Sequence, residues 1–100
     1  MILNLRHVGI VVSDMDRAIR FYGSLGCQVI MRHPETWDNA RIEVCKMTHN
    51  VELIQGKWYN HMAFTVDNLE GFNVMLTQKP DVKFIQDPWG NVIELVKEDK

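Results

Sequence analysis

Four side chains in this sequence could hold a metal ion, and they fall into two matching pairs: His7 with Glu52, and His61 with Glu94. Each histidine opens an alternating stretch, His7-Val8-Gly9-Ile10-Val11-Val12 in one case and His61-Met62-Ala63-Phe64-Thr65-Val66 in the other. Each glutamate lies between branched apolar neighbours, in Val51-Glu52-Leu53 and Ile93-Glu94-Leu95. Successive side chains of an extended chain point to opposite faces, so each Glu faces away from its apolar neighbours and each His shares its face with Gly9 or Ala63. A single strand Glu usually just meets solvent. The recurrence of the same pair at equivalent points of two segments argues for a joint role, because a carboxylate among Leu, Ile and Val is costly unless paired or metal-bound. Neutral imidazole together with carboxylate suits a divalent ion such as Zn, Ni, Co, Mn or Fe, with positions left for water or substrate. An ion held there could chelate a small substrate bearing adjacent oxygens, which would polarise its carbonyl and acidify the neighbouring C–H. A carboxylate at the same place then moves the proton, with Glu94 as the expected base and Glu52 as second ligand or partner base.

The elements that must position these groups form an internal repeat. Arg6-His7-Val8-Gly9-Ile10-Val11-Val12-Ser13-Asp14-Met15 lies over Asn60-His61-Met62-Ala63-Phe64-Thr65-Val66-Asp67-Asn68-Leu69 at an offset of 54 residues. In both copies a strand runs into a helix-start signal, Ser13 with Asp16 and Asp67 with Glu70, an arrangement resembling a capping box. Met15, Ala18, Ile19 and Tyr22 then mark one apolar helix face ending at Gly23 or Gly26, and Leu69, Phe72 and Leu76 mark a second helix ended by Pro80. Strands are expected over 27–32, 40–47 and 50–55 after the first helix, but only over 82–86 and 91–97 after the second. His7 to Glu52 spans 45 residues and His61 to Glu94 only 33, so the second copy is expected to lack about one strand. The fold class is therefore α+β: two βαβββ-type modules, 1–56 and 57–100, the second trimmed by one strand, in a single domain over 1–100.

At 100 residues, 46% hydrophobic and 24% charged, the chain supports one modest core. A net charge of −2 without any basic cluster gives no support to nucleic-acid binding. No apolar run approaches membrane-span length and no leader pattern opens the chain, so a cytoplasmic location is expected. Cys27 and Cys45 match no zinc or redox spacing and read as buried, reduced side chains. Trp37, Trp58 and Trp89 fall in loops or at strand ends and read as rim packing or a dimer contact rather than substrate stacking, His33 and His49 as exposed loop residues, and Asp87-Pro88-Trp89-Gly90 as a tight turn.

These stretches, together with Arg20-Phe21-Tyr22, Leu25-Gly26 and Asp87-Pro88-Trp89-Gly90-Asn91-Val92-Ile93-Glu94-Leu95, resemble the vicinal oxygen chelate superfamily, which includes glyoxalases, bleomycin resistance proteins and extradiol dioxygenases. The resemblance covers nearly the whole chain. It implies paired modules forming an open mixed-sheet half-barrel cup with helices outside, and metal ligands from the first and last strands of each module, here His7, Glu52, His61 and Glu94. The His/Glu/His/Glu set is similar to that of bacterial glyoxalase I. It also resembles methylmalonyl-CoA epimerase, where a Gln is usual at the position of Glu52. Glyoxalase I has an Arg where this chain has Val11 and an Asn where it has Gly56, so the glutathione adduct is expected to be a poor substrate. The implied function is a metal-dependent isomerase or lyase acting by proton transfer. The alternatives are a non-catalytic small-ligand-binding protein of the resistance type and an extradiol dioxygenase-like enzyme. A homodimer is expected, since a small open sheet leaves edges and an apolar face uncovered, and the sites are either within one chain or shared between two.

Overall fold

The computed structural model describes residues 1–33, 41–46 and 49–98. In chain order the elements are β1 (Ile2–Val12), α1 (Met15–Ser24), β2 (Gln28–Arg32), β3 (Arg41–Lys46), β4 (Asn50–Gln55), β5 (His61–Val66), β6 (Leu76–Lys79), β7 (Val82–Gln86) and β8 (Val92–Lys97). This is an α+β fold with eight strands and one helix among the described residues. The chain forms two compact units, Val8–Asn60 and Met1–His7 with His61–Lys100. The break between units falls inside β1, so the first seven residues group with the second module of the repeat.

In the unit of Val8–Asn60 the strand order is β2-β3-β4-β1. β1 runs parallel to β4, with Gly9 opposite Glu52, while β4 with β3 and β3 with β2 are antiparallel. The apolar face foreseen from the alternation is the one the helix covers: Ile10 and Val12 pack with Met15, Ala18, Ile19 and Tyr22 of α1 and with Val51 and Leu53 of β4. Burying a side chain such as Met15 or Leu53 is worth about 1.5–3 kcal/mol. Cys27 and Cys45 are free and buried in the same cluster. Burial, then the neighbouring Cys27, pushes the Cys45 thiol up to about 11, which fits an inert small hydrophobe. α1 starts one residue later than the expected cap. Asp14, not Ser13, accepts the Arg17 N–H at 3.2 Å, and Gln55 Oε1 of β4 accepts the Met15 N–H at 2.7 Å.

One charged group sits deep in this unit. Glu43 of β3 is 1% exposed and receives Arg41 Nε at 2.8 Å and Arg32 Nη2 at 3.4 Å, while Arg41 Nη1 reaches Asp16 of α1 at 3.4 Å. Glu43 pairs in register with Arg32 and with Leu53, so all of these groups lie on the helix-covered side of the sheet. The network ties the helix start to two strands.

In the other unit the strand order is β1-β5-β8-β7-β6, with β5 parallel to β8 and the remaining described pairs, β8 with β7 and β7 with β6, antiparallel. Here the expected architecture needs correction. No helix forms at Leu69, Phe72 and Leu76, and the strand thought to be missing is present as β6. What the second module lacks is its helix. Gly71 adopts a φ of +83°, which ends any right-handed turn begun at Asp67. Asn73, Val74 and Thr77 add poor helix formers. Residues 71–79 alternate between exposed and half-buried, the period of an extended chain. Met75 N–H already bonds the Phe84 carbonyl at 2.8 Å before β6 begins, and Leu76 then pairs with Phe84, with an irregularity between Thr77 and Lys79. Asp67 and Glu70 cap nothing: the Asp67 carboxylate takes the Met1 ammonium at 2.8 Å, and the Glu70 N–H goes to Asn68 Oδ1. The expectation of a helix in both modules thus holds only for the first.

The Asp87–Gly90 turn forms as expected, with Asp87 Oδ1 accepting the N–H groups of Trp89 and Asn91, and Trp89 is exposed at its tip. Trp58 packs against Tyr59 with ring centroids 5.4 Å apart. Trp37, Ala40 and Met47, which figure in the expected loops and strand ends, lie outside the described residues. No described helix is long and apolar enough to cross a membrane.

Candidate metal centre

Register builds the site in the unit that holds Met1–His7 and His61–Lys100. Glu94 of β8 lies opposite Ala63 of β5 on one side and Phe84 of β7 on the other. Directly opposed residues face the same way, so Ala63, Glu94 and Phe84 form a row across one face of the sheet. His61 stands two residues before Ala63 on that same face, and the methyl group of Ala63 leaves room beside the carboxylate. His61 Nε2 comes within 3.0 Å of Glu94 Oε1, and His7 Nε2 within 3.6 Å of the same oxygen. The two imidazoles meet edge to face with centroids 5.5 Å apart. Both histidines are buried.

Each of the three residues offers a ligand atom, and all these atoms lie within 4.8 Å of one another, the only such group of three among the described residues. Ligands about 2.0–2.2 Å from one ion stand no more than roughly 4.4 Å apart, so small side-chain adjustments suffice to close the group around a first-row divalent ion. Two imidazoles and one carboxylate are also the donor types such an ion prefers. The residues present fit the ion.

The electrostatics agree with a ligand role for Glu94. Burial would raise its carboxyl, but the contacts with His61 and His7 prevail and hold it down at about 2. A carboxyl depressed in the folded state and ordinary in the unfolded state stabilises the fold fully above about pH 4.5 and loses that contribution as pH falls towards 2. In the metal-free protein, the thermal-stability difference between the unaltered chain and Glu94→Gln should therefore shrink as pH falls from 4.5 to about 2. A difference that widened on acidification would contradict the pairing.

Glu52 belongs to the other unit and is not a member of this group. Its Oε2 lies 3.6 Å from Nε2 of His33, which is half-buried rather than the exposed, partnerless loop residue expected. The cause is an irregularity in β2. Val29 pairs with Cys45, but Met31 pairs with Val44, so the register slips by one between them. His33 N–H bonds the Ile42 carbonyl at 3.1 Å, which continues the shifted ladder and sets His33 on the face of Val44 and Glu52. Strict alternation from Val29 would have turned His33 the other way. In the sequence Phe84 is only a strand residue, yet its ring stands 5.5 Å from that of His61 at an interplanar angle of 77°.

The sequence model of the Glyoxalase/Bleomycin resistance protein/Dioxygenase superfamily matches residues 6–96. No curated protein matches the chain. Among solved structures, methylmalonyl-CoA epimerase from Mycobacterium tuberculosis is similar at a TM-score of 0.77 and 20% identity, over 99% of this chain and 90% of that one. A Streptomyces coelicolor methylmalonyl-CoA epimerase variant in complex with 2-nitronate-propionyl-CoA gives 0.78 and 16%, covering both chains in full. A hypothetical protein from Bacillus halodurans gives 0.78 and 17%, over 97% of this chain and 95% of that one. At these identities the likeness to solved structures concerns the fold.

Proposed function

The chain belongs to the glyoxalase/bleomycin resistance protein/dioxygenase superfamily, and from that premise we propose that it is a metal-dependent isomerase that moves a proton beside a carbonyl of a small substrate. The observation that carries this reading is the convergence of buried His7 and His61 with half-buried Glu94. These three residues would hold the ion. When bound, a divalent ion supplies Lewis-acid polarisation of a substrate carbonyl and so acidifies the adjacent C–H.

The two carboxylates then divide the work. Glu94, with one carboxylate oxygen 3.0 Å from His61 Nε2 and 3.6 Å from His7 Nε2, would hold the ion and orient the ligands. Glu52, the matching carboxylate of the other repeat, is the partner base that the sequence pairing suggests, and His33 stands 3.6 Å from it. This division assigns to Glu52 the base role that the sequence first suggested for Glu94. An acyl thioester is the substrate class that best joins these features: its carbonyl acidifies a neighbouring C–H, and the similar Streptomyces protein binds such a thioester. Val11 and Gly56, where glyoxalase I has polar residues, speak against the glutathione adduct.

The test is solvent deuterium exchange into methylmalonyl-CoA. The metal-loaded chain should exchange the proton next to the carbonyl, and Glu52→Gln should slow this about 10²–10⁴-fold while keeping the metal. Exchange by Glu52→Gln at the unaltered rate would remove Glu52 as base. Metal binding with no exchange into any acyl thioester or 2-hydroxy-ketone would favour the small-ligand-binding alternative.

A dioxygenase-like reading keeps one specific support, since two imidazoles and one carboxylate also suit non-haem iron. Dioxygen uptake with a catechol by the iron-loaded chain would establish it. The homodimer belongs to the same proposal: without a second helix, Met62 on the outer face of β5 is 46% exposed, and a second copy would cover that face. Sedimentation showing only monomer at micromolar concentration would exclude it.

A further inference from the structure

Phe84 is the largest fully buried side chain among the described residues, at 0% exposure, and it fills a position that the other module of the repeat fills differently. In β7 it lies opposite Glu94, whereas in β3 the residue opposite Glu52 is Val44. An aromatic ring thus flanks the carboxylate in one module and a small branched side chain flanks it in the other. A core residue chosen only for volume would not need to break the repeat at the one row that carries the metal group.

The geometry shows what the ring does. Phe84 and His61 stand on β7 and β5 with β8 between them, so their backbones are separated by two strand spacings, about 9–10 Å. Their ring centroids are nevertheless only 5.5 Å apart. The two rings meet above β8, the strand that carries Glu94. On its other side His61 meets the ring of His7, again at 5.5 Å and 77°. The imidazole of His61 is therefore held between two rings, and its side chain is 1% exposed. Rotation about its Cβ–Cγ bond would drive it into one ring or the other.

We propose that Phe84 is a positioning residue of the metal centre: its ring locks the plane of His61 so that Nε2 points at the place shared with His7 and Glu94. The proposal rests on the metal reading above, and it assigns no ligand role to Phe84. A ligand orientation fixed in advance need not be ordered when the ion binds, so loss of the lock weakens binding and distorts the coordination without removing a donor.

The test uses Co²⁺ as the probe, with affinity from titration and coordination from the visible absorption spectrum. Phe84→Leu keeps an apolar filling but no ring, and Phe84→Tyr keeps the ring. Val66→Ala removes volume from another fully buried position of the same unit and serves as the control for destabilisation alone. Phe84→Leu should bind Co²⁺ about 10-fold more weakly with an altered visible spectrum, while Phe84→Tyr and Val66→Ala retain the affinity and spectrum of the unaltered chain. Phe84→Met replaces Phe84→Leu should the latter fail to fold. Unchanged affinity and spectrum in the ringless variant, or an equal loss in Val66→Ala, overturns the positioning role while leaving the metal reading intact. Failure of the unaltered chain to bind Co²⁺ overturns both.

Discussion

His61→Ala should empty the metal centre. The unaltered chain, freshly purified, is expected to carry about one divalent ion, as a single group of three convergent donors allows. His61 is the most enclosed donor, with its Nε2 3.0 Å from Glu94, and no other described trio of metal-type side chains comes as close together. Loss of a residue that merely orients a ligand already weakens metal binding 10–100-fold, so loss of the ligand itself should exceed about 100-fold and leave no ion after dialysis. His7→Ala should behave in the same way. Glu94→Gln should also lose the ion, because a neutral amide replaces the one anionic donor of the group. Glu52→Gln is expected to be much milder in metal content, since Glu52 lies against His33 and outside the trio. Elemental analysis of the four variants separates these outcomes, and full occupancy in the His7→Ala, His61→Ala double variant would place the ion elsewhere.

Arg41→Ala should be the most destabilising change in the unit of Val8–Asn60 that touches no apolar side chain. Glu43 is almost fully enclosed, and Arg41 supplies its shortest contacts, at 2.8 Å from Nε and 2.5 Å from Nη2. Without Arg41 the carboxylate would keep only Arg32 at 3.4 Å, and that side chain is two-thirds exposed and free to turn towards water. Leaving a buried charge without its partner costs about 3–5 kcal/mol. For a chain of this size that corresponds to a fall in melting temperature on the order of 12–40 °C. The reverse change should be gentler. Glu43→Met removes the buried member, and the two guanidiniums left behind both reach solvent, so the cost should be under half that of Arg41→Ala. Thermal unfolding of the metal-free variants gives the order directly. Equal losses, or a greater loss in Glu43→Met, would show that the network contributes through packing rather than charge.

How much of this was legible beforehand differs from element to element, for physical reasons. The strand and helix of the first module were readable because periodicity there is unambiguous: Met15, Ala18, Ile19 and Tyr22 fit a helix and nothing else, and Val8, Ile10 and Val12 fit a strand. In the second module the same signals overlap. Leu69, Phe72 and Leu76 fall at helical spacing, but Phe72, Val74 and Leu76 fall equally at the spacing of a strand. Pairing with β7 selects the second pattern, and Gly71 at φ +83° removes the first. The 12-residue difference between the modules is visible in the sequence, but a count of residues does not say that the helix rather than a strand is the element the second module lacks.

Within the site, the sequence by itself determined His7, His61 and Glu94 as candidate ligands, since residue type, alternation and an internal repeat are local properties of the chain. The repeat also made Glu52 equivalent to Glu94, and there local information ended. Which side chains lie beside each carboxylate is a matter of strand register, and register depends on pairing between segments distant in sequence. The one-residue slip between Val29 and Met31 brings His33 to Glu52, and the β7–β8 pairing brings Phe84 over the strand of Glu94 to His61. Two equivalent glutamates thereby acquire different neighbours, because what packs against a side chain across the sheet is set by register, and only the folded chain supplies that.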